Sequence, residues 1–386
     1  MKKVLAIVLA FAMLFAVAAC GNSSSSSSTP APAGPATIKV GATGPLTGGA
    51  AIYGQAVKNG AEIAVAEINA KGGLQFEFNM QDDAHDAEKA VNAYNALKDW
   101  GMQIMMGTVT STPAEATAAE AYSDRVFFLT PSASSTDVIK GKDNTFQMCF
   151  TDPNQGSGAA QYIKENSLGT KIGMIYKSDD NYSMGIKATF DAKAAEVGLE
   201  IVAEEAFTED TQTDFSAQIK KMQDAGADLV FLPMYYTPAS LIFKQAAAAN
   251  YAPTWFGVDG MDGILTLEGF DTTLAEGVIL LTPYSADDTS ALNQSFVKAY
   301  QSAYGELPNQ FAADAYDCIY ALYQAITAIN PAGSEAAADL CDSMIAQFTS
   351  MTFDGLTGAN MTWAKDGTVS KSPNAMVIEN GAYVGL

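Results

Sequence analysis

The sequence predicts an α/β protein of two doubly wound, parallel-sheet lobes, and three observations predict it. From Ile38 onwards short apolar runs alternate with stretches of helical period, the pattern of a parallel sheet wrapped by helices. The alternation pauses near Phe150 and resumes at Lys171 in the same strand-helix order, although no sequence repeat is visible. After Gly277–Thr282 three helical patterns follow one another without strands, so that run reads as a strand passing between lobes. A chain of 386 residues is long enough for two domains.

In the first series Ile38–Ala42 is a strand, followed by a Gly-rich loop from Thr43 to Gly54. Val57, Ala61, Ala64, Val65 and Ile68 mark one face of a helix that Lys71-Gly72-Gly73 closes. Leu74–Met80 is a strand, Ala87–Trp100 a helix and Gln103–Gly107 a buried strand. The next helix carries its start signal in Gly107–Glu120. Thr112 is placed as N-cap, Pro113 at the first helical position, and Glu115 closes a Thr-x-x-Glu box. Arg125–Leu129 is a strand that ends in a hydroxyl-rich loop, Thr130 to Thr136.

Phe146–Phe150 reads as a strand leaving the first lobe. The second series places strands at Lys171–Tyr176, Leu199–Ala206, Asp228–Pro233 and Thr254–Gly257, with helices from Met184 to Val197, Phe215 to Ala225 and Thr237 to Ala249. The late helices are Ala291–Tyr304, Phe311–Ile329 and Ser334–Phe348, and from Phe353 the tail is short strands with Gly and Asn turns.

The N-terminus is an address. Lys2 and Lys3 precede an apolar run, Val4–Ala19, which is too short for a membrane span. It ends Val17-Ala18-Ala19-Cys20, similar to a bacterial lipobox with Cys20 as the lipidated first mature residue; a plain secretory signal is the other reading. Residues 1–19 are thus a leader, and 20–36, rich in Ser, Pro and Ala, a tether unable to bury a core.

The net charge is −22, and without the leader 19 basic residues face 43 acidic ones, −24. Such a surface repels phosphate backbones, which excludes nucleic acid as a partner class. Past Cys20 the cysteines are Cys149, Cys318 and Cys341. Cys318–Cys341 is a plausible pair in an oxidising exterior, and three free core thiols are the alternative.

Ligands of open parallel sheets sit outside the carboxyl ends of the strands. At those ends lie Tyr53, Ser111 with Thr112, the Ser132-Ala133-Ser134 loop, Tyr182, Tyr235 and Asp259. Hydroxyls and a helix N-terminus suit a carboxylate, one acid suits an ammonium, and tyrosine rings suit an apolar side chain. Each has a plainer reading: half-buried tyrosines as packing, Asp259-Gly260 as a turn.

At Gly44-Pro45-Leu46-Thr47-Gly48 through Tyr53-Gly54, and at Ala66 to Gly73, the chain resembles the branched-chain amino-acid (Leu/Ile/Val) binding proteins of ABC importers. Asp82-Asp83, Gly107–Thr112, Pro131–Ser134, Asn181-Tyr182 and Gly257–Gly260 fall in that family's order, so the likeness covers residues 37 to 386. The resemblance implies the type I periplasmic-binding fold, with two lobes joined by three crossovers: residues 37–150 and 284–353, then 151–283 and 354–386. It implies that Ser111, the Ser132 backbone and Ser134 hold an α-carboxylate, with Thr112 and Ala133 completing the two loops. Asp259 and Tyr235 would hold the α-ammonium, while Tyr53 and Tyr182 line the side-chain space. Asp259 and Ser134 stand where the family commonly has Glu and Thr, and Thr110 occupies a position of a disulfide known in some relatives.

The resulting expectation is a monomeric, extracytoplasmic, lipid-anchored solute receptor without a cofactor, delivering a small aliphatic amino acid to ABC permease subunits. A sensor of the same fold, or a receptor for a related carboxylate or amide, is the alternative. Enzyme chemistry is disfavoured: His85 is the only histidine, and there is no Gly-x-Ser-x-Gly elbow, Walker loop or His/Cys metal cluster.

Overall fold

The computed structural model describes residues 36–386; the leader, Cys20 and most of the tether lie outside the described residues. The first sheet is built from β1 (Thr37–Gly44), α1 (Ala51–Ala70), β2 (Gln75–Asp82), α2 (Ala87–Trp100), β3 (Ile104–Met106), α3 (Ser111–Asp124), β4 (Phe127–Thr130), α4 (Thr136–Ile139) and β5 (Thr145–Gln147). Its strands run parallel in the order β2-β1-β3-β4-β5. Ile38, Val40, Ile104, Met106, Phe127, Leu129 and Phe146 are buried in its core. Near-continuous apolar strands are what a sheet covered on both faces requires.

The chain then forms α5 (Asp152–Glu165), β6 (Lys171–Lys177), α6 (Asn181–Val197), β7 (Glu200–Phe207), α7 (Ser216–Ala225), β8 (Leu229–Leu232), α8 (Tyr236–Ala248), β9 (Thr254–Gly257) and β10 (Ile279–Thr282). It goes on to α9 (Ala291–Tyr304), α10 (Gln310–Ile329) and α11 (Ala337–Phe348), and ends with β11 (Asn374–Glu379) and β12 (Ala382–Gly385). The second sheet has the order β12-β11-β10-β9-β8-β6-β7, parallel except for the antiparallel edge made by β11 and β12. β10 belongs inside this sheet, paired with β9, and does not run between lobes as a strand.

The late helices return to the first sheet. Phe348 of α11 packs on Phe127 with ring centroids 4.8 Å apart. α10 lies so close to α1 that a Cβ on Gly60 would sit 2.0 Å from the Ala312 carbonyl oxygen. Only glycine permits that approach. The chain therefore passes between the sheets three times: after β5, after β10 and between α11 and β11.

Four sequence readings are corrected. α3 begins two residues early, with Thr110 as N-cap and no capping side chain, so the Thr112–Glu115 box does not form. Glu115 instead accepts from Ser135 Oγ at 2.9 Å and from Asn181 Nδ2 at 2.6 Å. α5 was not anticipated, because Pro153, Gly156 and Gly158 weaken its helical pattern. Pro153 is tolerated in the first turn, and Gly156 is needed where α5 meets α6: a Cβ there would lie 2.2 Å from the Ile186 carbonyl.

Residues 354–371 pack beside the first sheet, past the expected boundary after residue 353. Trp363 Nε1 donates to Gln147 O at 2.8 Å, and Lys371 Nζ pairs with Asp314 Oδ1 at 2.7 Å. Finally, Cys149, Cys318 and Cys341 are all free and buried, so Cys318–Cys341 is not a disulfide.

Candidate functional site

The carboxyl ends of strands from both sheets face each other across one cleft. From the first sheet come the loop after β3, with Thr110 and Ser111, and the loop after β4, with Ser132. From the second come Tyr182 at the start of α6, Tyr235 after β8 and Asp259 after β9. Together with Tyr53, Val109, Gly260 and Phe311 they line a cavity of about 10 Å³, room for about one water.

Hydrogen bonds cross this cleft. The Tyr53 hydroxyl donates to the Gly260 carbonyl at 2.5 Å and accepts from Tyr236 N–H at 3.3 Å. Thr237 Oγ1 donates to Gly49 O at 2.7 Å, and Glu115 receives Asn181 from the other side. Tyr182 and Tyr235 stack with centroids 4.7 Å apart, and Tyr53 meets Tyr235 edge-on at 5.5 Å.

Two wound sheets closing on one cavity is the arrangement of a solute trap, and comparison with known proteins agrees. Residues 37–382 match the sequence profile of the family described as "Periplasmic binding protein". The chain belongs to this family. A Leu/Ile/Val-binding protein, BraC3, of Rhizobium johnstonii is 30% identical over 297 residues, 76% of this chain and 79% of that protein. The branched-chain amino acid transporter substrate-binding protein LivJ of Streptococcus pneumoniae, solved with isoleucine, superposes with a TM-score of 0.81 at 28% identity, covering 90% of this chain and 97% of that one. An ABC transporter solute-binding protein of R. palustris, solved with benzoate, has a TM-score of 0.81 at 21% identity, covering 91% and 95%. That last likeness shows the fold alone.

In this binding protein six of the nine residues singled out from sequence line the cavity: Tyr53, Ser111, Ser132, Tyr182, Tyr235 and Asp259. Ser111 Oγ accepts from Ser135 N–H at 3.2 Å, and Ser132 Oγ donates to Val109 O at 2.7 Å. The other three sit elsewhere. Thr112 faces a larger outer chamber. Ala133 is buried in the backbone of its loop, its carbonyl accepting from Gln147 Nε2 at 2.7 Å. Ser134 lies one layer deeper, where its carbonyl accepts from Asp152 N–H at 2.9 Å.

The electrostatics concentrate on two carboxyls. Asp259 is buried, and burial pushes its pKa up to about 7; the nearby Asp314 adds to the rise, and donation from Tyr182 offsets only part of it. Asp152, the first residue of α5, is also buried; its oxygens make no hydrogen bond of ordinary geometry among the described residues, and the nearby Ser134 hydroxyl offsets only part of the effect of burial. Burial, with Asp259 as a neighbouring charge, holds its carboxyl well above the usual range. Among the described residues the buried cations are already engaged, Lys371 with Asp314 and Lys177 with Glu209.

Sequence reading missed Asp152 because it missed α5. The Asp152-Pro153 pair, a helix-start signal, was the available clue. Gln155, from the same helix, fixes the neighbour: its Oε1 accepts from Asp259 N–H at 3.1 Å. Tyr182, expected only as side-chain lining, positions Asp259 through its hydroxyl at 2.6 Å. Among the described residues no group of three or more His, Cys, Asp or Glu side chains is placed to hold a metal ion, and no helix is long and apolar enough to cross a membrane.

Proposed function

We propose that the protein captures a small amino acid between its lobes and delivers it to an ABC permease, tethered outside the cell membrane through a lipid on Cys20. The observation that carries this reading is Asp259, a buried carboxyl without a salt bridge among the described residues, lining one cavity with the Ser111 and Ser132 hydroxyls and with Asp152 buried near it. A buried charge without a partner is costly, and an ammonium in the cavity beside Asp259 would relieve it. The opposite wall offers the Ser111 hydroxyl and the free N–H groups at the start of α3 to a carboxylate. Tyr53, Tyr235 and Phe311 bound a small apolar space for the side chain. The amino-acid ligands named for the Rhizobium and Streptococcus relatives fit this division.

An aromatic carboxylate, the ligand in the R. palustris structure, is the second reading. It fits the tyrosines but leaves Asp152 and Asp259 unpaired beside another negative charge. The test is calorimetry with the mature protein against the twenty amino acids and benzoate. Tight binding of a small aliphatic amino acid supports the proposal. Binding of benzoate in preference to every amino acid sinks it. Loss of labelled amino-acid uptake in a deletion strain separates transport from sensing.

A further inference from the structure

Beyond the ligand cavity lies an outer chamber of about 450 Å³, lined among others by Ala50, His85, Lys177, Asp180, Glu209 and Tyr235. The two spaces share Tyr235, and the partition between them is small. His85 Nδ1 lies 2.8 Å from Thr110 Oγ1, and Thr110 lines the inner cavity while His85 lines the outer chamber. The imidazole also stands edge-on to Tyr235, with centroids 5.5 Å apart and planes at 88°.

The backbone holds this ring in place. His85 and Ala84 both adopt left-handed conformations, φ 61° and 48°, and His85 N–H donates to Asp83 Oδ1 at 2.9 Å. Burial, with Lys177 nearby, pulls the imidazole pKa down to about 4, so the partition is neutral at physiological pH.

We propose that His85 is a specificity-determining residue: its imidazole, pinned to Thr110 and set against Tyr235, closes the outer end of the ligand cavity and limits the ligand side chain to a short aliphatic one. The proposal rests on the reading of an amino acid in the inner cavity. The outer chamber has room for a longer or aromatic side chain, which removal of the imidazole behind Thr110 and Tyr235 would let a ligand reach. A pocket wall that excludes one added group discriminates through steric overlap alone.

The experiment is calorimetry of wild type and His85→Gly with valine and phenylalanine. Glycine suits the left-handed backbone at this position. Wild type should favour valine, and in the variant the valine-to-phenylalanine preference should shrink about tenfold or more, the scale on which pocket fit acts. An unchanged preference in a folded variant, or parallel loss of both ligands, overturns the proposal. So does a wild type that binds both equally. A wild type that binds no amino acid overturns the underlying reading instead. If His85→Gly does not fold, His85→Asn, which also tolerates the left-handed conformation, is judged by the same criterion.

Discussion

The Tyr182 hydroxyl donates to Asp259 Oδ1 at 2.6 Å while accepting from Gly260 N–H at 2.9 Å, so one phenol fixes both the carboxyl and the backbone beside it. Tyr182→Phe removes both bonds and leaves the stacked ring in place. Affinity for the amino acid should fall by about 1.5–3 kcal/mol, the worth of a hydrogen bond to a charged group. Calorimetry reads this directly, and an unchanged Kd would mean that Asp259 needs no positioning.

The two site carboxyls should behave as binding groups, not stabilising ones. Asp259→Asn should weaken amino-acid binding by about 3–5 kcal/mol, the cost of breaking a buried ion pair, and Asp152→Asn should weaken it less, because Asp152 lies outside the cavity lining. The ligand-free melting temperature should hold or rise, since each variant removes a buried ionisable group that lacks a counter-charge. A thermal melt showing a large loss of stability would assign these residues a structural role.

The pH dependence has a definite sign. Asp259, at about 7, and Asp180 and Asp262, at about 6, are all raised above the ordinary carboxyl value by burial. The folded state therefore binds more protons than the unfolded one, and these groups stabilise the ligand-free protein as pH falls from about 7 towards about 4. His85, held down to about 4, opposes them between about 6.5 and 4. Binding of an ammonium needs Asp259 ionised, so affinity should drop below pH 7, at most about tenfold per pH unit for one proton. Calorimetry from pH 5.5 to 8 checks this; affinity that is flat or rises on acidification contradicts it.

Ser111 lines the cavity from the first sheet. Ser111→Ala should cost about 1.5–3 kcal/mol in affinity if its hydroxyl meets a carboxylate. Part of any change will appear in stability, because Ser111 Oγ also accepts from Ser135 N–H. Comparing the free and ligand-saturated melts separates the two contributions.

Glu115 links the lobes, bonded to Ser135 Oγ on its own side and Asn181 Nδ2 on the other. Asn181 is exposed, so Glu115→Ala leaves no buried orphan there. The expected effect is about 0.5–1.5 kcal/mol, appearing mainly as faster ligand release. Stopped-flow dissociation measures it, and a changed association rate with unchanged release would argue against a latch.

What the sequence determined by itself was the periodic part of the molecule: the strand and helix alternation, the apolar strands of two parallel sheets, and the hydroxyls and Asp259 at strand ends. These are written locally, in spacings of two and 3.6 residues and in turn chemistry, which need no distant contact to be read. Tertiary structure alone decided the rest. α5 is a helix because Gly156 and α6 interlock, although glycine and proline argue locally against it. Asp152 was buried near Asp259, Glu115 left its capping box to bridge the cleft, and Cys318 and Cys341 stayed apart as free thiols. His85 met Thr110 across 25 residues. In each case the outcome depends on which groups burial brings within a few ångströms, where desolvation and packing outweigh local preference.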